Sequence, residues 1–500
     1  MVTFNEKQKL AIDLIKDFLS QQRKNLFYLL GYAGTGKTFL ISHIIRDLLL
    51  SSDINNIYIC APTHKALNVI ESYLKSDIGM EQQLVAMEKI SYMTIHKLLE
   101  FKPVIMAEDG SKVFKPKQES KFLKKIENRL VILDECSMIS KDMVSELKKY
   151  VDLYPIKIIF MGDNKQLPPV EESESLIFSE IPKSYRYHIV LDEIMRTNSS
   201  DIKEVCTVIR NWNLHNNLSE QLLPIHNRKS SFKIYKKKPD HLKSSWFKNF
   251  IHKLSSGKIA IILTWRNSIA DYYNTIIRQY LHSTGNLDNY VCGDYAMFNN
   301  YYMSVDANPD AVKTNFYTSD MIKIVEISTE KTMLFNWLEL IIDKPTSLME
   351  KAFNNIVKKI AKIKNNFMVD TLRVEKIYSD VDKVISQNIY TIKTIHRNEL
   401  TKYQEMKNKI QELIKFFFNK YKSEKKTSDL WTAFHKKLID PYAEINFGYS
   451  ITTYKSQGST FMAVFVDVPD LNTIRNLDEF QKALYTSAGR ASDELCLLVN

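Results

Sequence analysis

Glycine is scarce, 12 in 500 residues, yet three fall within six positions: Gly31, Gly34 and Gly36. A chain so sparing of the residue that tolerates positive φ and close backbone approach has a reason to cluster it there. The five cysteines, Cys60, Cys136, Cys206, Cys292 and Cys496, are widely spread with no C-x-x-C pair. That argues against a zinc module or a disulfide framework and suits a reducing, cytoplasmic compartment. No apolar run reaches the roughly 18 residues of a membrane span, and Met1 to Asp13 lacks the apolar core of a secretion signal. A soluble chain with no membrane partner is expected. Acidic residues are in deficit, 58 against 69 basic ones, and the net +11 favours a polyanionic partner without naming it. Repeats and low-complexity tracts are also missing, and the length allows three or four domains at about 150 residues each.

What is present begins with Gly31-Tyr-Ala33-Gly34-Thr35-Gly36-Lys37-Thr38, between the apolar run Leu26 to Leu30 and a helical pattern from Phe39 to Leu50. Strand, glycine loop and helix in that order make a phosphate-binding loop, whose backbone N–H groups curl around phosphate oxygens. Lys37 adds charge and Thr38 a magnesium ligand. About a hundred residues on, Leu130 to Leu133 ends in Asp134 and Glu135. Asp134 is expected to hold Mg2+ and Glu135 to orient or deprotonate the attacking water. After the apolar Ile156 to Met161 comes Gly162-Asp-Asn-Lys-Gln166-Leu-Pro168-Pro169, where Gln166 is placed to sense a γ-phosphate and the prolines stiffen the segment beyond. Arg196 and Arg490 also stand out; an isolated arginine is usually a surface residue, and reading either as an arginine finger, the device that neutralises charge in phosphoryl transfer, rests on the family resemblance given below. ATP with Mg2+ is the expected cofactor pair.

Short apolar runs at Leu26 to Leu30, Ile57 to Ala61, Leu130 to Leu133 and Ile156 to Met161 alternate with helical stretches, which predicts an α/β fold with a parallel sheet and ligands at its carboxyl edge. Further runs at Ile259 to Thr264, Ala463 to Val468 and Leu495 to Val499 predict a second such unit, split by a long insertion. Residues 103–114, with Asp109-Gly110 at the centre, read as a hairpin. Residues 290–335 read as β-rich, and 347–425 as charged amphipathic helices.

Eight segments resemble, in order, the motifs of superfamily 1 helicases, most of all the 5′-to-3′ RecD/Dda-like branch. They are Gln8, the loop at 31–38, Ala61-Pro-Thr-His-Lys-Ala, Thr94-Ile-His-Lys-Leu-Leu, Asp134-Glu-Cys-Ser-Met, Gly162-Asp-Asn-Lys-Gln-Leu-Pro-Pro-Val, Thr452-Thr-Tyr-Lys-Ser-Gln-Gly and Arg490. The resemblance spans nearly the whole chain. It implies two RecA-like motor cores, the first at 1–188 with a strand-separating pin at 99–120, the second at 189–285 and 446–500, and a barrel-plus-helical insertion at 286–445. It also implies an adenine contact at Gln8 and a γ-phosphate contact at Gly458. Strand contacts are implied at Pro62, Thr63, His64, Thr94 and His96 on the first core and at Thr452, Lys455 and Ser459 on the second. Such polar contacts address phosphate and sugar, so sequence preference should be slight.

The implied activity is ATP-driven 5′-to-3′ movement on single strands and opening of forked DNA in replication, recombination or repair, by a monomer that meets single-strand-binding or replication proteins. A translocase that strips proteins without opening duplex, an RNA-active motor and an ATP-switched assembly factor are the rival readings. The Lys-, Asn- and Ile-rich composition suggests an AT-rich genome and, with the resemblance, a phage. Two departures from the pattern stand out: Tyr454 where relatives carry His, and Gly489 where Ser or Thr precedes the arginine, which is expected to loosen the backbone beside it.

Overall fold

Two parallel sheets carry the molecule, each covered on both faces, which is why their strands read as nearly unbroken apolar runs. The computed structural model describes residues 4–21, 25–50, 56–62, 64–77, 88–115, 129–153, 156–169, 172–179, 181, 185–195, 197, 199–214, 216–228, 231–238, 240, 243–282, 287, 289–304, 314–377 and 388–500. The N-terminal part supplies β1 (Leu26–Gly31), β2 (Asn56–Ala61), β3 (Ile90–Thr94), β4 (Lys102–Ile105), β5 (Lys112–Lys115), β6 (Arg129–Leu133), β7 (Ile156–Gly162) and β8 (His188–Leu191). Six of these form a sheet in the order β3-β2-β6-β7-β1-β8, while β4 and β5 pair only with each other. Side chains alternate between the faces: on β1, Phe27 and Leu29 join the core beneath helix Lys37–Leu50, and Tyr28 and Leu30 join the core on the other side.

The rest of the chain adds β9 (Phe232–Lys236), β10 (Ala260–Thr264), β11 (Tyr295–Phe298), β12 (Tyr302–Met303), β13 (Asn315–Phe316), β14 (Met321–Met333), β15 (Asn366–Ile377), β16 (Ile389–Ile395), β17 (Ile445–Phe447), β18 (Ser450–Thr452), β19 (Phe461–Asp467) and β20 (Ala491–Val499). The second parallel sheet runs β18-β10-β19-β20-β9. On β19, Val464 and Val466 face one core and Ala463 and Phe465 the other. The expected α/β class with two RecA-like cores therefore holds.

Two boundaries move and one strand is added. β8 lies parallel to β1 with Tyr28 opposite His188 and Gly31 opposite Leu191, so the first core runs through Leu191 and not to 188. β17 pairs with β11, which keeps the insertion going through Phe447 and starts the last part of the second core at β18. β9 was not anticipated at all: its sequence runs into Lys236-Lys237-Lys238 and reads as solvated charge, yet Phe232 is fully buried beside β20.

The insertion is half as expected. Five antiparallel strands run β16-β15-β14-β11-β17, and the Ala443 N–H donates to the Lys393 carbonyl at 2.6 Å, while the Thr394 hydroxyl donates to the Ala443 carbonyl at 2.9 Å. These bonds draw the first strand to the chain entering the last, as in a small barrel. The stretch 347–425 is not all helix: β15 and β16 lie within it. Ile389-Tyr-Thr-Ile-Lys-Thr-Ile395 is dominated by β-branched and aromatic residues, and that propensity outweighs the charged spacing that suggested helices. The helices Leu348–Ala361, Leu400–Tyr421 and Glu424–Ala433 form a separate layer, packed around Trp337, Phe353, Ile410 and Trp431.

Candidate nucleotide site and strand track

The phosphate loop joins β1 to helix Lys37–Leu50, with Gly34 at φ 79° and Gly36 at φ 77°, values that side chains resist. Gly31 is held by space instead: a Cβ there would sit 2.8 Å from the Leu191 carbonyl oxygen. Lys37 Nζ donates to the Gly31 and Tyr32 carbonyls at 2.8 and 3.0 Å. Gln8 is buried against the same loop. Its Nε2 donates to the Thr35 carbonyl at 3.3 Å, and its Oε1 accepts from the Asn5 N–H in a capping box that starts helix Glu6–Ser20. The side chain expected to meet adenine thus also ties the first helix to the loop.

Asp134 emerges from β6 beside that loop, with its carboxylate 3.4 Å from the Thr38 hydroxyl. Glu135 follows at φ 50°, a left-handed conformation that turns its side chain away from the strand direction, and its N–H donates to Asp134 Oδ1 at 2.8 Å. Burial first, and then the neighbouring Glu135 charge, push the Asp134 carboxyl up, with Lys37 pulling the other way. A buried carboxylate and a hydroxyl side by side are hard oxygen donors, as Mg2+ requires when phosphate oxygens and water complete its shell. Among the described residues no group of three or more His, Cys, Asp or Glu side chains is placed to hold a metal ion.

The layer between the two cores was only partly foreseeable. Arg490, 1% exposed, donates to Gln166 Oε1 at 3.0 Å, to the Thr486 carbonyl at 3.0 Å and to the Ser459 carbonyl at 3.4 Å. The sensor candidate of one core is thereby bonded to the finger candidate of the other. Tyr485 makes a second bridge that sequence reasoning missed: its hydroxyl accepts from the Ala33 N–H at 2.9 Å and donates to Asp163 at 2.8 Å. Arg210 closes the group, paired with Asp163 and lying over the Tyr32 ring at 3.9 Å. Burial, then the Asp163 charge, raise the Tyr485 phenol well above its usual range, so it stays a donor. The one signal for Tyr485 was its place in the stretch before Arg490; Arg210 had none.

Gly489 corrects an expectation. Its backbone is ordinary right-handed helix at φ −67°, and a Cβ would lie 3.0 Å from the Ala33 Cβ. The glycine lets the second core close onto the phosphate loop; it does not loosen the finger. Ser459 is also placed differently, 1% exposed behind Arg490, where a strand cannot reach its side chain. Arg196 and Thr63 lie outside the described residues. Replacing Arg490 by Ala is expected to lower ATP turnover about a thousandfold, the scale of a lost finger, with nucleotide affinity changed less. Turnover and nucleotide titration on the same preparation check this, and Arg490→Lys controls for the three acceptors left unpaired.

The strand candidates gather at the carboxyl edges of both sheets. Ala61 lies opposite Thr94 across β2 and β3, which brings Pro62 and His64 beside Thr94 and His96. Thr94 caps the short helix Ile95–Leu98 by accepting the Lys97 N–H. His64 stacks on Tyr317 of the insertion at 3.6 Å between ring centres, and burial, reinforced by Lys97 and Lys376 and opposed by Asp320, lowers its pKa. On the second core, Thr452 and Lys455 line a polar cavity of about 250 Å³ with Asn299 and Asn446, and Lys455 donates to Asn299 at 3.1 Å. Gly458 turns at φ 72° beside them. Tyr454 packs on Trp265 at 5.4 Å, a core-facing place for the residue that departs from the family pattern.

The hairpin β4–β5 stands on this edge, with Phe114 touching His96 at 5.1 Å between ring centres. Gly110 at φ 73° forms its tip, and the Met106 N–H donates to the Ser111 carbonyl across the turn. The tip is held by the helical layer: a Cβ on Gly110 would run into the Trp431 ring, Trp431 Nε1 donates to the Ala107 carbonyl at 3.1 Å, and His435 Nε2 meets the Gly110 carbonyl at 2.9 Å. The π-turn Phe434–Ile439 then brings Asp440 to Lys112 at 2.8 Å. Val104, Val113 and Phe114 remain 40, 39 and 50% exposed.

Comparison with known proteins agrees with this arrangement. Residues 17–172 match the family model of an AAA domain, and residues 447–498 that of the UvrD-like helicase C-terminal domain. An uncharacterized protein of Acanthamoeba polyphaga mimivirus is 51% identical over 498 residues, 99% of this chain and 100% of the relative. The ATP-dependent DNA helicase Dda of Enterobacteria phage T4 is 30% identical over 212 residues, 42% of this chain and 43% of the relative. The RecBCD enzyme subunit RecD of Buchnera aphidicola subsp. Schizaphis graminum is 31% identical over 190 residues, 36% of this chain and 29% of the relative. The matches to these last two cover less than half of either relative.

Proposed function

Since the chain belongs to the superfamily 1 helicases of the 5′-to-3′ branch related to Dda and RecD, we propose that it is an ATP-dependent DNA helicase that moves 5′ to 3′ along a single strand and opens duplex in replication, recombination or repair. The observation that carries this is the inter-core layer, in which Arg490 is bonded to Gln166 and Tyr485 to the loop amide of Ala33. A change at the phosphate end of the nucleotide therefore acts directly on groups of both cores.

Lys37 and the loop amides bind the β- and γ-phosphates, Gln8 and the segment around it take the base, and Glu135 orients the attacking water and accepts its proton. Thr38 and Asp134 would hold Mg2+, which on binding neutralises phosphate charge. Arg490 and Gln166 lie against the transferred group, and their mutual bond yields to contacts with it as the phosphate leaves. The cores then part and close again, and the grip at His64 and His96 alternates with that at Thr452 and Lys455. Exposed apolar groups on the hairpin favour strand opening over bare translocation, which would give them no task.

Hydrolysis is expected to rise steeply with added single-stranded DNA. Affinity should fall as salt rises, because backbone contacts release counterions, and homopolymers of different base should bind within about tenfold of one another. ATPase titrations with oligonucleotides at several ionic strengths test this. Turnover indifferent to DNA would favour an ATP-switched assembly factor, and turnover raised by RNA alone an RNA motor.

A further inference from the structure

The helical layer of the insertion holds nearly all the excess charge of the protein. Residues 348–364 and 400–437 contain 15 lysines against five acidic residues, a net of +10 where the whole chain carries +11. Everything else is balanced to within one charge. Of those 15 lysines, among the described residues only Lys407 has a carboxylate within ion-pairing distance, Glu444 at 4.0 Å. Lys402, Lys409, Lys420, Lys422, Lys425 and Lys436 are all exposed. Ordinary solvated helices interleave their signs, so a layer this one-sided, with so few carboxylates to offset its lysines, projects a field suited to a polyanion.

Its position gives that field a direction. The layer is fastened to the hairpin tip through Trp431, His435 and Asp440, and Ile105 of β4 packs against its core. Asp109 at the tip, whose carboxyl is held down first by the Ser111 amide and hydroxyl, also feels Lys415. The base of the hairpin adjoins the first core, where Phe114 touches the strand candidate His96, and the lysine-rich layer lies at its far end. Whatever the hairpin divides is therefore still undivided where the lysines are.

We propose that this layer binds the phosphate backbone of the duplex ahead of the fork, holding the incoming helix against the hairpin while the cores pull one strand away. The inference rests on the helicase reading above. Its partner is double-stranded DNA of any sequence, since lysines on helix surfaces contact phosphate and do not read bases. Each neutralised phosphate steepens the salt dependence, so four contacts would make the preference for duplex-bearing substrates fall about a hundredfold between about 50 and 200 mM salt.

The test compares binding, without hydrolysis, to a single strand, to a duplex with the same strand as its 5′ tail, and to a fork with an added 3′ tail. The wild-type protein is expected to bind the tailed duplex about a hundredfold or more tighter than the single strand at about 50 mM salt. Lys415→Gln, Lys422→Gln, Lys425→Gln and Lys436→Gln combined should erase that preference while leaving single-strand affinity and strand-stimulated ATPase unchanged. The matching Arg replacements should keep it. A wild-type protein with no preference, or a Gln variant that retains it, overturns the proposal and leaves the layer to an acidic protein partner. A preference that appears only with the 3′ tail overturns it in favour of the displaced strand. Absence of strand-stimulated ATPase in the wild type would instead bring down the helicase reading itself.

Discussion

Lys37→Ala is expected to reduce ATP hydrolysis to background while single-strand binding survives. The ammonium sits on the Gly31 and Tyr32 carbonyls inside the phosphate loop after β1, whereas the strand candidates lie at the carboxyl ends of β2 and β3, across β6 and β7 from it, and on the second core. Removing the charge takes away the main counter-charge to the phosphates and leaves Asp134 and Glu135 facing them without it. Glu135→Gln should separate the steps: nucleotide still binds, because the amide keeps the shape of the side chain, but turnover fails for want of a base. Nucleotide binding, steady-state hydrolysis and single-strand affinity, measured on both variants, decide it. Hydrolysis near the wild-type rate in either one would remove the motor assignment.

The second large effect concerns the hairpin. Replacing Lys102 to Lys115 with a short Gly-Ser turn should leave strand-stimulated hydrolysis near normal and abolish unwinding of a 5′-tailed fork. Opening a step gives up base stacking of roughly 1.4 kcal/mol on average, and an apolar wedge takes over part of that contact. Val104, Val113 and Phe114 are exposed enough to serve, and the grip of Trp431 and His435 on the tip keeps the wedge from bending away as the strand is drawn past. The hairpin adds little to the first core, since β4 and β5 pair only with each other, so the cores should fold without it. Equal unwinding by the folded deletion variant would place strand separation elsewhere.

Much of this was legible in the sequence because the motor parts are local. A glycine loop after an apolar strand, two carboxylates ending another and an Asp-Gly turn each state their geometry within a few residues, and the structure puts the first two side by side at one sheet edge and the third at the tip of a hairpin. Links between segments far apart in the chain were not legible. Nothing about Tyr485 announces a bond to Ala33, 452 residues away, and nothing about Gly489 announces the close approach of Ala33. β9 was hidden by its lysines, and β15 and β16 by charges that mimic helical spacing, because an exposed strand face tolerates Lys and Glu as readily as a helix does. Trp431 looked like one more core aromatic until its contact with Gly110 gave it a partner on the first core.

The central claim is that hydrolysis drives this protein along one strand in one direction and parts the duplex it meets. A single strand carrying a short duplex at each end tests that directly. With ATP and Mg2+, the oligonucleotide paired at the 3′ end of the long strand should be released, while the one at the 5′ end stays bound and neither leaves when a non-hydrolysable analogue replaces ATP. Release from the 5′ end, or no ATP-dependent release from either end by a protein whose hydrolysis responds to the strand, would contradict the account.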